Sequence, residues 1–360
     1  MTVSFSYGAR LGGNMAQRAS STLRRFCPSE RECELIAPFK RYSPQYTIAG
    51  WPMRISSCMI PKNMSTVLSA IFCLLFTGEM GNTNSTVTTM LQRKCAGRNE
   101  LHSYSQIAKL AHGKRWMNFA MVRDPAERFL SGFMFMCSPY CMLSSIETSR
   151  LDGVCSFFAQ TTCTIYYRRT ALFNLLTNDE DKHVQKRWFS ARSTLFFLTL
   201  EVKNNPVKND CEGCVGDVKC ALKKTLEQSQ QFANGDLSAQ SYLLWHLGPQ
   251  NWHCDLQHNI EKFKLIQYSP KKEEKLAADL LYVLEEGGVE RSNIDLIIAQ
   301  VSNGTTLHAT NHLVRKKFYE MQMNDAQVHE LLVKIFFWDY VIFKYPLPKL
   351  GESRGRIVHA

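Results

Sequence analysis

The stretch Ile55-Ser-Ser-Cys-Met-Ile60-Pro61-Lys62-Asn63-Met64-Ser65-Thr66-Val67 decides the fold. Ile55 to Ile60 reads as a short buried strand, and Pro61 ends it because proline has no N–H to give to a ladder. Val67 to Phe76 then reads as a helix packed on both sides, closed near Gly78. Strand, short loop and helix in that order open an α/β fold. The layout returns at Met117-Asn-Phe-Ala-Met-Val122, a strand candidate, followed by the turn Arg123-Asp124-Pro125 and a helix from Ala126 to Met136. Asp124 suits the N-cap and Pro125 the first helical position. The expected fold class is therefore α/β, a mostly parallel central sheet flanked by helices.

Three further helices are legible downstream. One runs from a capping Asp217 to Phe232. A second opens at Ser269-Pro270, carries the stripe Leu276, Leu280, Leu281 and Leu284, and ends at Gly287. A third opens at Asn324 with Gln327 in the capping-box position, continues through Val328, Leu331, Leu332, Ile335 and Phe336, and stops before Pro346. Residues 1–54 read as a basic, poorly structured leader, 55–348 as the domain and 349–360 as a tail. Residues 138–209 show weak periodicity around Cys141, Cys155, Cys163, Arg168-Arg169 and the apolar run Leu195 to Leu200.

At 360 residues with 45% hydrophobic side chains the chain can bury a large core, which excludes wholesale disorder. Its 43 Lys and Arg against 32 Asp and Glu leave a net charge of +11, so an anionic partner is expected. Nucleic acid is the weaker choice, because no helix-turn-helix, zinc-finger or base-stacking motif is present. A bilayer span needs roughly 18–20 apolar residues. The longest candidate, Val67 to Phe76, is shorter and contains Ser69 and Cys73, so no transmembrane anchor is expected in the chain as written. The N-terminal stretch also lacks the apolar core of an export signal. Thirteen cysteines and the sequons Asn84-Ser-Thr86 and Asn303-Gly-Thr305 nonetheless favour a secretory lumen, a conflict that a truncated or misassigned N-terminus would resolve.

Two constellations carry chemistry. In Pro61-Lys62-Asn63-Met64-Ser65-Thr66 a loop feeds a helix N-terminus, whose unpaired N–H groups and positive dipole end make an anion site. Lys62 adds an ammonium, and Ser65 and Thr66 add hydroxyls; the glycines of a Walker loop are absent. In Arg123-Asp124-Pro125-Ala126-Glu127-Arg128-Phe129-Leu130-Ser131, Arg123 leaves a strand end where its planar fork can grip a phosphate. Ser131 lies two turns into the helix, leaning back toward the same anion. Arg128 can serve the site or pair with Glu127. The competing reading of both stretches is a capped helix with solvated charges.

Together, Pro61-Lys62-x-x-Ser65-Thr66 and Val122-Arg123-Asp124-Pro125-x-x-Arg128-x-x-Ser131-Gly132-Phe133 resemble the two donor loops of Golgi carbohydrate sulfotransferases, most closely the chondroitin/dermatan 4-O-sulfotransferase-like branch. Three later segments agree: His246-Leu-Gly-Pro249-Gln250-Asn-Trp252-His-Cys254, Phe263-Lys-Leu-Ile-Gln-Tyr268-Ser269, and Leu331-Leu-Val-Lys-Ile-Phe-Phe-Trp-Asp339-Tyr340-x-x-Phe343-x-Tyr345. The resemblance covers about residues 52–137 and 210–348.

It implies sulfonate transfer from 3′-phosphoadenosine 5′-phosphosulfate (PAPS) to a hydroxyl of an acidic glycan, most closely O-4 of N-acetylgalactosamine in a chondroitin-type glycosaminoglycan. Lys62, Asn63, Ser65 and Thr66 would hold the 5′ end of the donor, and Arg123 and Ser131 the 3′-phosphate. Lys62 would also stabilise the transition state. His246 is the candidate base, against the alternative of a packing histidine between Trp245 and Trp252; His308 is a second, weaker match. No metal is implied, and the location implied is the Golgi. The rival reading is an inactive homologue that binds glycan or nucleotide without turnover.

Cys211-Glu-Gly-Cys214, with Cys220, His253 and Cys254, admits a zinc site but lacks a second half of suitable spacing. Related members carry cysteines here that are read as disulfides, which the resemblance therefore favours. In the family, the cysteine after the Arg-Asp-Pro helix lies near this segment. The distance between Cys137 and Cys211, 211 − 137 = 74 positions, marks most of 138–209 as an insertion.

Overall fold

The computed structural model describes residues 34–42, 45–79, 95–137, 211–269, 273–303 and 313–348. In chain order these form β1 (Tyr46–Ile48), β2 (Ile55–Cys58), α1 (Ser65–Thr77), β3 (Glu100–Leu101), α2 (Tyr104–Ala111), β4 (Met117–Arg123) and α3 (Pro125–Met136). The later elements are α4 (Val218–Ala233), α5 (Tyr242–Leu247), α6 (Leu256–Asn259), β5 (Lys264–Tyr268), α7 (Glu273–Glu286), α8 (Arg291–Asn303), α9 (Leu313–Met323) and α10 (Ala326–Ile342). The five strands make one sheet in the order β3-β1-β2-β4-β5. β2, β4 and β5 pair in parallel, while β1 runs antiparallel to both of its neighbours. The expected α/β architecture is present, and β1 alone among the described strands runs against the rest.

β4 lies between β2 and β5, and its place explains why Phe119 to Val122 is an unbroken apolar run. Phe119 and Met121 point to one face, where they pack with Leu68 and Phe72 of α1 and Leu280 and Leu284 of α7. Ala120 and Val122 point to the other face, against Val333, Phe337 and Val341 of α10. A strand covered on both faces has no polar side to alternate with. A further apolar cluster joins α3, α4 and α10 through Phe129, Phe133, Leu222 and Phe336. Gly287, just after α7, is required by close approach: its carbonyl accepts from Arg54 N–H at 2.8 Å, and a Cβ there would stand 2.6 Å from Cβ of Ile55.

Three expectations are corrected. Residues 34–42 and 45–54 belong to the domain and not to a leader. Tyr46 is fully buried, donates its hydroxyl hydrogen to the Cys254 carbonyl at 2.5 Å, and lies in a strand hydrogen-bonded on both edges. A three-residue strand is too short to announce itself by periodicity. The last helix is capped by Asp325, not Asn324, because the Asp325 carboxylate accepts from the N–H groups of Gln327 and Val328. The first sheet strand of the motif stops at Cys58, two residues before Ile60. Residues 1–33, 138–209 and 349–360, with His308 and both complete sequons, lie outside the described residues.

Four disulfides join Cys58 to Cys254, Cys73 to Cys95, Cys137 to Cys211 and Cys214 to Cys220. Cys211 and Cys214 thus go to different partners and Cys254 to a third, which removes the thiolates a zinc site would have needed. His253 is buried with its ring against Trp245 and Tyr42, so it packs.

The placement of β1 has a direct test. Tyr46→Ala removes a fully buried ring from between two strands, and truncations of that kind cost about 3–5 kcal/mol. Denaturant unfolding should show a loss of that order; an unchanged midpoint would return the segment to a leader.

Candidate functional site

β2 and β4 are parallel neighbours, so the loops that leave their C-terminal ends open side by side, where α/β sheets place ligands. The first loop has an unusual backbone. Lys62 (φ 68°) and Met64 (φ 59°) are both left-handed, although neither is glycine. Met64 is the N-cap of α1 and gives it no side-chain cap, which leaves the first-turn N–H groups for an external acceptor. Ser65 is half-buried and Thr66 exposed at that end.

A buried polar network holds the loop in this shape. Asn63 donates its amide hydrogens to the Met121 carbonyl at 2.9 Å and to Gln250 Oε1 at 2.7 Å. Gln250 Oε1 also accepts from Arg123 N–H at 3.0 Å, and its Nε2 donates to Arg123 O at 2.8 Å. The Gln250 and Asn251 N–H groups donate in turn to the two carboxylate oxygens of Asp339 at 2.7 and 2.9 Å, with Asn251 Nδ2 adding a third bond at 2.6 Å. Arg128 completes the connection: it is buried, donating from Nε to Pro61 O at 3.0 Å and from Nη1 to Gly248 O at 2.6 Å. Arg123, not Arg128, is the ionic partner of Glu127, at 3.5 Å.

Cations crowd this site. Burial chiefly, then the Arg123 and Arg128 charges, lower the Lys62 pKa from its ordinary 10.5 to about 8. Its Nζ lies 4.0 Å from the centroid of the Phe135 ring. Burial, with the Arg123 charge adding to it and Asp339 opposing, lowers Arg128 to about 10. The Arg123 guanidinium stacks on Tyr268, its register partner in β5, at 5.2 Å, and donates to Lys62 O at 3.4 Å.

α3 and α5 close the other side. Ser131 is half-buried on α3, and its hydroxyl makes no hydrogen bond among the described residues. Gly132 beside it allows close packing: a Cβ would stand 2.4 Å from Leu247 Cδ2 and 3.6 Å from the Lys62 stem. His246 on α5 places Nδ1 3.0 Å from Tyr242 O. A carbonyl only accepts, so Nδ1 carries the hydrogen and Nε2 the lone pair. The His246 ring is 5.9 Å from Phe135, the ring that Lys62 covers. The structure therefore brings Lys62, Arg123 and His246 around one place, with Asn63 turned inward as part of the framework.

Gln250, Asn251 and Asp339 were not singled out from sequence. Amide side chains in a loop carry no periodic signal. Asp339 did leave one: it is a carboxylate inside the apolar run Ile335 to Ile342, where a buried charge demands dedicated donors.

The family model described as "Sulfotransferase family" matches residues 45–346, and the chain belongs to that family. It is 27% identical to the Caenorhabditis elegans carbohydrate sulfotransferase chst-1 over 86% of this chain and 78% of that protein. It is 22% identical to an uncharacterized C. elegans protein over 91% of this chain and 76% of that one. No solved structure matches at comparable significance.

The low Lys62 pKa sets a proton-linkage prediction. An anion at the site favours the charged ammonium, so adenosine 3′,5′-bisphosphate should bind with proton uptake at pH about 8–9. Its affinity should then fall as pH rises above about 8. The ligand-free protein has the opposite sign. Between about 8 and 10.5 the unfolded chain holds the Lys62 proton that the folded one has released, so this residue's contribution favours folding increasingly as pH rises. Calorimetry in buffers of different ionisation heat should detect the uptake in the native protein and none in Lys62→Ala.

Proposed function

We propose that this sulfotransferase-family chain transfers sulfonate from PAPS to a hydroxyl of a glycan, and that the acceptor is a chondroitin-type glycosaminoglycan sulfated at O-4 of N-acetylgalactosamine. One observation carries the donor assignment. Lys62, Arg123 and Arg128 gather beside a helix N-terminus that has no side-chain cap, where burial, with the two arginine charges adding to it, lowers the Lys62 pKa to about 8. A group of cations held together by the scaffold fits a polyanion.

In this reading Lys62, Ser65, Thr66 and the first N–H groups of α1 hold the 5′-phosphosulfate, and Asn63 keeps their loop in shape. Arg123 and Ser131 hold the 3′-phosphate. PAPS supplies an activated sulfur–oxygen bond. As that bond breaks, Lys62 and the α1 N–H groups stabilise the negative charge that collects on the sulfonate oxygens and the leaving phosphate oxygen. His246 Nε2 takes the proton of the acceptor hydroxyl as its oxygen bonds to sulfur.

The glycan assignment draws on the name of the chst-1 relative, the +11 net charge and the loop resemblance to the 4-O branch. Four disulfides among the described residues support an oxidising compartment, for which we propose the Golgi lumen. Residues 138–209 remain proposed as an insertion, supported by the Cys137–Cys211 disulfide at its borders, where the Cα atoms are 5.1 Å apart.

Labelled PAPS offered with chondroitin, dermatan, heparan and non-glycosaminoglycan acceptors tests the reading, with label expected in chondroitin first. Lys62→Ala should lower kcat by about 10²–10³, as loss of one transition-state donor does. Full activity in the folded variant would sink the assignment. Arg123→Ala and Ser131→Ala should each weaken adenosine 3′,5′-bisphosphate far more than adenosine 5′-phosphate in competition binding. Equal losses would remove the 3′-phosphate role.

A further inference from the structure

β2 ends at Cys58, which pairs with Ala120, yet β4 runs on to Arg123. Over these last residues β4 keeps β5 as a partner but has outrun β2. Backbone groups buried there still need partners, and two side-chain amides take the place of the missing strand. Asn63 Nδ2 donates to Met121 O at 2.9 Å. Gln250 pairs with both backbone groups of one residue, its Oε1 accepting from Arg123 N–H at 3.0 Å and its Nε2 donating to Arg123 O at 2.8 Å. The same Oε1 accepts from Asn63 Nδ2 at 2.7 Å. One fully buried amide thus holds the second loop by its backbone and the first by Asn63.

What anchors Gln250 lies outside both loops. Its N–H donates to Asp339 Oδ2 of α10 at 2.7 Å, and the Cys58–Cys254 disulfide ties the segment that follows it to the end of β2. Two arginines also cross between the loops, Arg123 Nη1 to Lys62 O at 3.4 Å and Arg128 Nε to Pro61 O at 3.0 Å. The Arg123 fork is the group proposed to take the 3′-phosphate, so its long bond to Lys62 O competes with the ligand. Arg128 meets the first loop at Pro61, ahead of Lys62. The Gln250 side chain, by contrast, bonds to no atom proposed to touch the donor, so a bound nucleotide leaves its bonds in place.

A ligand with two anionic ends gains from the second contact only when the two sites stand at the spacing of those ends. We propose that Gln250 is the positioning residue that sets this spacing, so that the sites for the 5′ and 3′ phosphates act as one bivalent site. The inference rests on the donor reading under the proposed function and adds the residue that joins its two halves.

Calorimetric binding of three nucleotides to the full chain separates spacing from general stability. In the proposed reading adenosine 3′,5′-bisphosphate engages both loops, adenosine 5′-phosphate the first alone and adenosine 3′-phosphate the second alone. Gln250→Met keeps the length of the buried side chain and removes its amide. The thermal midpoint should fall, because Arg123 N–H and C=O lose their partner, so binding is read well below it. The variant should bind the bisphosphate about tenfold more weakly or worse, and each monophosphate less than about threefold more weakly. Asn63→Ala should then add little to Gln250→Met, since both act through one bond. The wild-type chain supplies a reading that needs no variant. Adenosine 5′-phosphate should slow hydrogen exchange at the Arg123 amide, the N–H that Gln250 holds. Equal losses for all three nucleotides, bisphosphate binding at wild-type strength, or Arg123 exchange indifferent to adenosine 5′-phosphate each overturn the inference and leave the donor reading standing. A wild-type chain that binds none of the three overturns both.

Discussion

The Asp339 carboxylate, buried in α10, is the constraint on which the site depends. Burial raises its pKa, and three donors from Gln250 and Asn251 work against that rise. Those donors fix Gln250, whose side-chain amide accepts from the Arg123 N–H and the Asn63 side chain and donates to the Arg123 carbonyl. The two loops are held in register by that amide together with direct contacts, Arg123 on the Lys62 carbonyl and Arg128 on the Pro61 carbonyl. The arrangement costs desolvation at every step, and it leaves Asn63 Oδ1 and Arg128 Nη2 buried without a hydrogen-bond partner among the described residues. Its use is positional, since it holds Lys62 and Met64 in backbone conformations that non-glycine residues rarely take.

The same scaffold explains how like charges remain together. Lys62, Arg123 and Arg128 repel one another, and free side chains would move apart. Arg128 cannot, because two carbonyls of different loops hold its guanidinium in the interior. Arg123 leans on Tyr268 and on the half-exposed carboxylate of Glu127, a weak pairing in partial solvent. Lys62 rests on the Phe135 ring, a neutral surface that stabilises a cation without discharging it. The partners of Arg123 and Lys62 are thus weak ones, whereas Arg128 is held firmly.

The legible part of this architecture was local. Both strand–loop–helix units could be read because Pro61, Asp124 and Pro125 act on adjacent residues, and β4 could be read from the apolar run Phe119 to Val122 at its centre. What escaped was non-local. β1 is three residues long and owes its place to ladders on both sides, to Cys254 and to the packing of Phe263 on Tyr46. Arg128 reads as a surface partner of Glu127 at one-residue spacing, and only the fold shows that it points to Pro61 and Gly248. Gln250 lies 187 residues from Asn63 and 89 from Asp339, so no window along the chain contains the network.

In the proposed reading, donor and acceptor are handled by different kinds of structure. The proposed donor end is built from backbone: two strand ends, a helix N-terminus and carbonyls locked by buried amides. Such parts are stiff, which suits a reaction whose barrier is lowered by charges already in position. Phe135, His246 and Tyr242 beside it are side chains on two helix surfaces, two of them on the short α5. Exchanging an exposed ring there alters little of the core, whereas a change at Gln250 or Asp339 exposes several buried polar groups to loss of their partners. Gly132 is the point where the two parts meet, because the helix that carries Phe135 must pass there within van der Waals reach of both Lys62 and Leu247.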